Sequence, residues 1–320
     1  MSEALYQSDS LQAWIPRGLL ELSPQHRVPA CTLEGLTPVQ LHWREGVLDD
    51  VRPLDADQSS PEQVVLPRFV DAHVHLDKAF TWQDHPNLLG TYEGALKANL
   101  VEHQSRSTEL VLSRGERALQ QAFGCGLRAV RSHIDSGGPG AESSWEALQV
   151  LQRRWRGRVE LQLVALAPLA FWISAEAESM AKRLSTCGGL LGGVLDPSMS
   201  GPAVDQQLKA LLRLADRHGL AVDLHIDEAD HAPAQGVKQL LRALKISPVA
   251  VPITCSHASS LALLPQAALQ RLGERMMSAN LQVIALPLTN AWLLERRSDI
   301  TPLKRPQAPI RQLQRSGVRV

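Results

Sequence analysis

The sequence lacks the features of an exported or membrane-bound protein. Its 4 cysteines are far apart and form no CxxC pair, which argues against a thiolate zinc site and against a disulfide framework. No apolar run approaches the roughly 18 residues that a membrane-spanning helix needs, and the N-terminal residues do not resemble a signal peptide. We therefore expect a soluble cytoplasmic protein with no membrane partner.

An excess of charge of one sign is also missing. Lys and Arg number 33, and Asp and Glu number 33, so the formal net charge is zero. A nucleic-acid-binding protein normally carries a basic excess, so we expect no nucleic-acid partner. Gly-rich phosphate-binding motifs such as GxGxxG do not follow any apolar run, which removes local support for a nucleotide-binding sheet.

Short apolar runs alternate with helical patterns along most of the chain. The patterns predict strands over residues 64–75, 127–135, 159–167, 190–196, 220–227, 249–257 and 281–286. They predict helices over residues 109–123, 144–155, 175–185, 204–218, 234–244 and 264–277. Strands that alternate with helices indicate a parallel sheet, and continuous apolar strands indicate that both of its faces are covered.

The chain is predicted to have two parts. Residues 1–63 contain short β-like runs and a polar loop at 55–63, and we expect a small β segment there. Residues 64–320 are predicted to form the α/β part. The stretch from His73 to Val320 has about 250 residues, the usual length of a TIM-like (β/α)8 barrel. Residues 317–320 resemble the start of an eighth strand, so we expect a barrel that stops before that strand is complete; a doubly wound open sheet is the alternative.

Histidines occur at the ends of four predicted strands. His73 and His75 are two positions apart, so their side chains point to the same face of a strand. His133, His225 and His257 lie at the ends of later strands. The carboxyl ends of barrel strands converge on one rim, and imidazole suits zinc or iron, so we predict a metal site there. The alternative for each histidine is a strand-end hydrogen bond to a loop.

Two acidic residues follow one of these histidines. Glu228 comes three residues after His225, where a carboxylate can transfer protons between water, substrate and leaving group. The alternative for Glu228 is a helix N-terminal position stabilised by the helix dipole. Asp227 is predicted to orient a neighbour or to contact substrate.

Tryptophans and other carboxylates near the predicted strand ends supply candidates for supporting roles. Trp82, Trp172 and Trp292 follow strand ends, where they either form the walls of a site for a flat heterocycle or pack in the interior. Asp77 and Asp135 are candidates for groups that fix the histidine tautomers.

Taken together, these motifs resemble the amidohydrolase superfamily and, more narrowly, its cytosine deaminase-like branch, which includes N-isopropylammelide amidohydrolase. The resemblance spans residues 64–320. The segments that carry it follow in the order of that branch: LPRFVDAHVHLDK at 66–78, RSHID at 131–135, DLHIDE at 223–228, TCSHASS at 254–260, LPLTN at 286–290, RRSDITPLK at 296–304 and API at 308–310.

The resemblance implies a role for each matching residue. His73, His75 and His225 would bind one zinc or iron ion, and Glu228 would be the proton shuttle. His257 would either bind the metal or polarise the attacking water. Predicted substrate contacts come from Asp227, Trp172, Asn290 and Trp292. The fourth strand has no lysine that could bridge two ions, which favours a single metal.

The implied activity is metal-dependent hydrolytic deamination. A metal lowers the pKa of bound water to about 7, and the resulting hydroxide would displace ammonia or an amine from a nitrogen heterocycle. The expected partner is therefore a small heterocyclic substrate, and a homo-oligomer is compatible with the sequence. The alternatives are hydrolysis of a cyclic or acyclic amide, and a catalytically impaired relative that lacks the last metal ligand.

The sequence departs from the family pattern at two places. Cytosine deaminases have a glutamine after the third strand that binds the amide edge of the pyrimidine, whereas this chain has Ala167, Pro168, Leu169 and Ala170. We therefore expect cytosine to be a poor substrate. The strand-eight aspartate of the family, a metal ligand and general base, would lie beyond Val320.

Overall fold

The computed structural model describes residues 10–22, 31–54, 60–296, 299–301 and 305–320. Of the polar loop predicted at 55–63, residues 55–59 lie outside the described residues. The same is true of residues 297–298 and 302–304 in the segment that matches RRSDITPLK. The chain divides into two compact units, Met1–Arg68 and Phe69–Val320.

The first unit contains an antiparallel sheet of three strands in the order β1-β2-β3. The strands are β1 (Ser10–Pro16), β2 (Leu36–Arg44) and β3 (Val47–Pro53). Alternate residues of β2 point inward, so Val39 and Leu41 pack with Ala13 in a small apolar core. Glu45 and Gly46 connect β2 to β3 with positive φ angles, the conformation that a two-residue hairpin turn requires.

The second unit contains a sheet of seven parallel strands. They are β4 (Phe69–Val74), β5 (Leu127–Asp135), β6 (Glu160–Pro168), β7 (Leu190–Leu195), β8 (Val222–Ile226), β9 (Ile253–His257) and β10 (Leu281–Ile284). Each strand pairs with the strands that precede and follow it in the sequence. The predicted parallel sheet is confirmed, and the doubly wound alternative is wrong because strand order in such a sheet reverses at a switch point.

The seven-stranded sheet is strongly curled. His73 on β4 and Ser256 on β9 are five strand spacings apart in the sheet order, about 24 Å if the sheet were flat. Their side chains nevertheless meet, with His73 Nδ1 2.9 Å from Ser256 Oγ. A further parallel bridge joins Gln282 of β10 to Arg319, at the position where the sequence predicts the start of another strand.

Helices connect the strands and cover the sheet. They are α1 (Tyr92–Gln104), α2 (Thr108–Gly124), α3 (Ala141–Trp155), α4 (Ala177–Cys187), α5 (Pro202–His218), α6 (Gln235–Ile246), α7 (Gln266–Ser278), α8 (Pro287–Leu293) and α9 (Ile310–Arg315). The six predicted helices correspond to α2 through α7, with ends that differ by a few residues. None of the described helices combines the length and hydropathy that a membrane crossing requires.

Helix α1 was not expected because its pattern is the reverse of an ordinary surface helix. Its leucines Leu96 and Leu100 are exposed, whereas the polar residues Glu102 and His103 are buried. By contrast, α5 buries Leu208, Leu211, Leu212 and Ala215, as its i, i+3, i+4 and i+7 spacing predicts. Strands β8 and β9 are buried at every position, which is the pattern of a sheet covered on both faces.

Candidate metal centre at the carboxyl ends of the strands

Four strands bring five histidines together at one end of the curled sheet. His73 lies in β4, and His75 follows the last residue of that strand. His133 lies in β5, His225 in β8, and His257 is the last residue of β9. The ring centroids of His73 and His133 are 4.0 Å apart, and those of His225 and His257 are 5.0 Å apart. The strand-end histidines thus form one cluster, as the parallel strand directions require.

Three ring nitrogens within this cluster converge on a small space. His73 Nε2 is 3.1 Å from His225 Nε2, and His225 Nε2 is 3.2 Å from His75 Nε2. Nitrogens bound at about 2.1 Å to one metal ion are themselves about 3–3.4 Å apart. His73, His225 and His257 also form a group that could hold a metal ion, with one nitrogen of each within 4.8 Å of the others.

Burial favours the neutral form of all five histidines. Burial lowers the pKa of His73 to about 3, and the positive charges of Arg131 and Lys78 act in the same direction. Burial also holds the pKa values of His75, His133, His225 and His257 well below the ordinary value. A neutral imidazole has a nitrogen lone pair, which is the form that binds a metal ion.

Several ring nitrogens of the cluster find no hydrogen-bond partner in the described part of the chain. They include His257 Nε2 and both nitrogens of His133, all of them buried. Leaving a buried polar atom unpaired costs about 1–3 kcal/mol, so a cluster of this kind is stable when a further group occupies it. Neutral imidazoles at these separations fit one divalent transition-metal ion.

A carboxyl group and an amide contact the same side of His257. Glu228 Oε1 lies 3.2 Å from His257 Nδ1, and Asn290 Nδ2 lies 3.2 Å from the same nitrogen. Asn290 is fully buried and comes from α8, which follows β10. Asn290 therefore contacts a site histidine directly, and the substrate contact predicted for it stays a prediction.

Glu228 lies beside the histidine cluster. Its side chain is 12% exposed. Burial raises the pKa of Glu228 to about 8, and the nearby Asp196 carboxylate raises it further, whereas Lys78 lowers it. The carboxyl group therefore retains its proton at neutral pH in this environment, so it can serve as a proton donor beside the histidines.

Two of the predicted substrate contacts have other roles in the structure. The Asp227 carboxylate accepts hydrogen bonds from the backbone N–H groups of Gly236 and Val237, in the first turn of α6, and is fully buried. Trp172 is buried, and its indole N–H donates to the carbonyl oxygen of Gly192 on β7. These hydrogen bonds hold one side chain at the start of α6 and the other in the core, and a contact of either residue with substrate stays a prediction.

The two remaining tryptophans lie at the surface. Trp292 is 50% exposed, and the Arg296 guanidinium lies 4.2 Å from the centre of its ring. Trp82 is 53% exposed. A contact between either ring and a substrate stays a prediction.

Three residues around the histidines were not singled out from the sequence. Ser256 Oγ lies between His73 Nδ1 and the Asp223 carboxylate, and Arg131 donates to the other oxygen of that carboxylate. Asp223 precedes His225 by two positions and Arg131 precedes His133 by two, so each pair shares one face of a strand. Charged residues at this spacing inside otherwise apolar strands were the signal that could have identified them.

Asp77 and Asp135 bind basic side chains, and the tautomer-fixing role expected for them stays a prediction. Asp77 binds the Arg106 guanidinium, with 2.9 Å between Oδ2 and Nη1. Asp135 binds Lys78 Nζ at 2.9 Å and Asn99 Nδ2 at 3.1 Å. Both carboxylates belong to a network of charges beside α1 and α2, because Arg106 and Lys78 supply positive partners there that the sequence spacing did not reveal.

Comparison with known proteins places this site in a family. No family model matches the chain. The chain is 30% identical over 307 residues to the pterin deaminase of Rhizobium rhizogenes, a match that covers 91% of this chain and 70% of that protein. It is 26% identical over 201 residues to the N-isopropylammelide isopropyl amidohydrolase of Pseudomonas sp., covering 61% of this chain and 50% of that protein.

The fold has a counterpart among solved structures. The crystal structure of 5-methylcytosine deaminase from Klebsiella pneumoniae, liganded with 5-fluorocytosine, superposes with a TM-score of 0.77 at 20% sequence identity. That superposition covers 97% of this chain and 73% of the other. The resemblance seen in the sequence motifs is confirmed: the chain belongs to the amidohydrolase superfamily of hydrolytic enzymes acting on C–N bonds, within its deaminase-like branch.

Proposed function

We propose that the protein is a metal-dependent hydrolase that removes ammonia or an amine from an amino-substituted nitrogen heterocycle. The observation that carries this proposal is the convergence of three histidine Nε2 atoms near the buried carboxyl group of Glu228. Membership of the deaminase-like branch supports the same reaction class. The names of the two relatives, one for pterin and one for N-isopropylammelide, support a heterocyclic substrate.

His73, His75 and His225 would hold one zinc or iron ion, with His257 beside it. When bound, such an ion lowers the pKa of water to about 7, which makes a hydroxide nucleophile available at neutral pH. Strand β7 (Leu190–Leu195) consists of leucine, glycine and valine only, so it offers no side chain that could bind or bridge a second ion. We therefore expect a site with one metal ion instead of two.

Glu228 would handle the protons of the reaction. Its protonated carboxyl group can donate to a ring nitrogen of the substrate while a water oxygen adds to the adjacent carbon and gives its first proton to the carboxylate that remains. Glu228 can then pass that proton to the departing nitrogen and take the last proton from the added hydroxyl group. A C=O bond forms, the C–N bond breaks with release of ammonia or an amine, and the protonated carboxyl group is restored. Glu228 and Asn290 both lie 3.2 Å from Nδ1 of His257, so this ring nitrogen marks the position of the Glu228 carboxyl group.

The proposal also covers the barrel fold, the cellular location and the oligomeric state. The curled sheet, its unbroken strand order and the further bridge at Arg319 support a (β/α)8 barrel. The cytoplasmic location and a homo-oligomeric state stay predictions from the sequence.

The proposal is tested by metal analysis together with a product screen. The purified protein is reconstituted with Zn²⁺ or Fe²⁺, its bound metal is counted, and release of ammonia or amine is measured with pterin, guanine, cytosine and an N-alkylated aminotriazine. Near-stoichiometric metal and release from one of these heterocycles is the expected result. Ring opening of a cyclic amide without ammonia would favour amide hydrolysis instead. A fully loaded protein that turns over none of these compounds would favour the impaired relative.

A further inference from the structure

We propose that Ser256, Asp223 and Arg131 form a positioning chain that fixes which nitrogen of His73 carries the proton, and so directs His73 Nε2 toward the metal centre. The inference rests on the proposed metal site. It concerns the three residues that the sequence motifs did not single out, and it can be tested on the protein without any metal.

The chain of contacts is continuous. His73 Nδ1 lies 2.9 Å from Ser256 Oγ. Ser256 Oγ donates to Asp223 Oδ1 at 2.7 Å, and Arg131 Nη1 donates to Asp223 Oδ2 at 2.7 Å. His73, Ser256 and Asp223 are buried, so water does not compete for these contacts.

The donor and the acceptor of each hydrogen bond in the positioning chain can be assigned. Both oxygens of Asp223 act as acceptors, Oδ1 for the Ser256 hydroxyl group and Oδ2 for the Arg131 guanidinium, which can only donate. The single hydroxyl hydrogen of Ser256 must therefore point to Asp223. The hydroxyl oxygen then faces His73 Nδ1 as an acceptor, so Nδ1 carries the proton. The lone pair of His73 is left on Nε2, the atom that lies 3.1 Å from His225 Nε2.

The strand register holds these groups in place. His225 of β8 is aligned with Ser256 of β9, and Asp223 lies two positions before His225 on the same face. Both strands are buried throughout, so Asp223 and Ser256 have little freedom to move. The ring of His133 stacks on that of His73 with 4.0 Å between centroids and limits rotation of the His73 ring.

His73 is distinguished in this way from the other two predicted ligands. The Nδ1 atoms of His75 and His225 are buried and have no hydrogen-bond partner among the residues that the structure describes. Loss of the Ser256 hydroxyl group should therefore change the tautomer of His73 and leave His75 and His225 as they are. Because two of the three ligands are unaffected, we expect metal binding to be weakened and not abolished. Groups that hydrogen-bond to a metal-binding histidine typically contribute about 10–100-fold to metal affinity.

The first test uses metal-free protein, prepared with a chelator and labelled with ¹⁵N in its histidines. Long-range ¹H–¹⁵N correlation spectra report which ring nitrogen carries the proton, and the His73 signals are assigned by their absence in His73→Gln. We expect the proton on Nδ1 of His73 in the unchanged protein. In Ser256→Ala we expect a mixture of tautomers, and in Ser256→Thr, which keeps a hydroxyl group, the original tautomer.

Asp223→Asn provides a second variant in case Ser256→Ala does not fold. The new amide can donate to Ser256 Oγ, which frees the hydroxyl hydrogen for His73 Nδ1 and moves a fraction of the ring proton to Nε2. Ser260→Ala is the matched control, because Ser260 is also a fully buried serine just after β9 and its hydroxyl group binds the backbone N–H of Ala234 instead of a histidine. The control should retain the His73 tautomer.

The second test measures Zn²⁺ affinity by competition with a chromophoric chelator. We expect Ser256→Ala to bind Zn²⁺ about 10–100-fold more weakly than the unchanged protein. The Zn²⁺ affinities of Ser260→Ala and Ser256→Thr should be close to that of the unchanged protein. A proton on Nε2 of His73 in the metal-free protein would overturn the inference, as would an unchanged tautomer in both Ser256→Ala and Asp223→Asn. Correct tautomers in a protein that binds no Zn²⁺ would contradict the proposed function and leave the positioning chain intact.

Discussion

Glu228 Oε1 lies 3.2 Å from His257 Nδ1, in a place where Asn290 also contacts that nitrogen. A protonated Glu228 can donate a hydrogen bond to Nδ1, which would leave the ring proton of His257 on Nε2, whereas an ionised Glu228 would accept a hydrogen bond from a protonated Nδ1. The proton of Glu228 and the tautomer of His257 are therefore coupled. A change in the protonation of Glu228 therefore changes which ring nitrogen of His257 carries hydrogen, and His257 belongs to the histidine cluster.

Glu228→Gln is expected to keep the metal and lose most of the activity. The amide has nearly the same shape but cannot give up a proton, and positioned acid–base groups typically contribute about 10²–10⁴-fold in rate. The measurement is kcat for ammonia release together with metal content. Glu274→Gln, on the exposed side of α7, is the control and should behave like the unchanged protein. Loss of metal together with activity would show that Glu228 is a ligand.

Removal of the two histidines at the carboxyl end of β4, His73 within it and His75 just after it, should abolish metal binding. His73→Ala with His75→Ala deletes two of the three converging Nε2 atoms, so we expect bound Zn²⁺ or Fe²⁺ to fall from near one per chain to a trace. The control replaces His42 and His231, which lie outside the cluster, by alanine and should retain the metal. Metal content is measured after dialysis, and an unchanged value in the β4 variant would refute the assignment.

The strand-end histidines could be predicted because two physical rules suffice for them. The side chains of residues i and i+2 share one face of a strand, and parallel strands end at one edge, so His73, His75, His225 and His257 had to meet. Their partners needed distances that the sequence does not contain. Ser256 reaches His73 only because the sheet curls enough to bring β9 to β4.

The roles of the flanking residues were harder to predict because they depend on loop paths. Asp227 has a positive φ of 55°, which turns its carboxylate onto the start of α6, several residues further along the chain. Trp172 and Trp292 both follow strand ends, yet the first turns into the core and the second lies at the surface. No periodicity in the sequence distinguishes these directions.

Cytosine is expected to be a poor substrate. The segment from Ala167 to Ala170 has no side-chain amide to bind the polar edge of a pyrimidine, and Ala167 and Leu169 are buried. Each unpaired polar group of the bound substrate would cost about 1–3 kcal/mol, which lowers kcat/KM by about 5- to 150-fold. The measurement compares kcat/KM for cytosine with that for the best heterocycle of the product screen. Comparable values for the two would contradict this expectation.

The last prediction concerns the buried charges that support the site from the side of α1 and α2. Arg106 is fully buried and binds Asp77 at 2.9 Å and Asp135 at 3.3 Å, and it also contacts Glu102. Arg106→Met would leave these carboxylates together without their shared positive partner. Because breaking a buried ion pair typically costs about 3–5 kcal/mol, we expect a loss of that size in the free energy of unfolding.

Urea unfolding of the metal-free protein measures this loss without interference from metal binding. The matched control is Arg154→Met, because Arg154 also pairs with a glutamate, Glu116 at 2.9 Å, but its side chain is 48% exposed. Exposed pairs of that kind contribute about 0–1 kcal/mol. A loss for Arg106→Met that is no larger than the loss for Arg154→Met would show that the buried network does not stabilise the fold around the histidines.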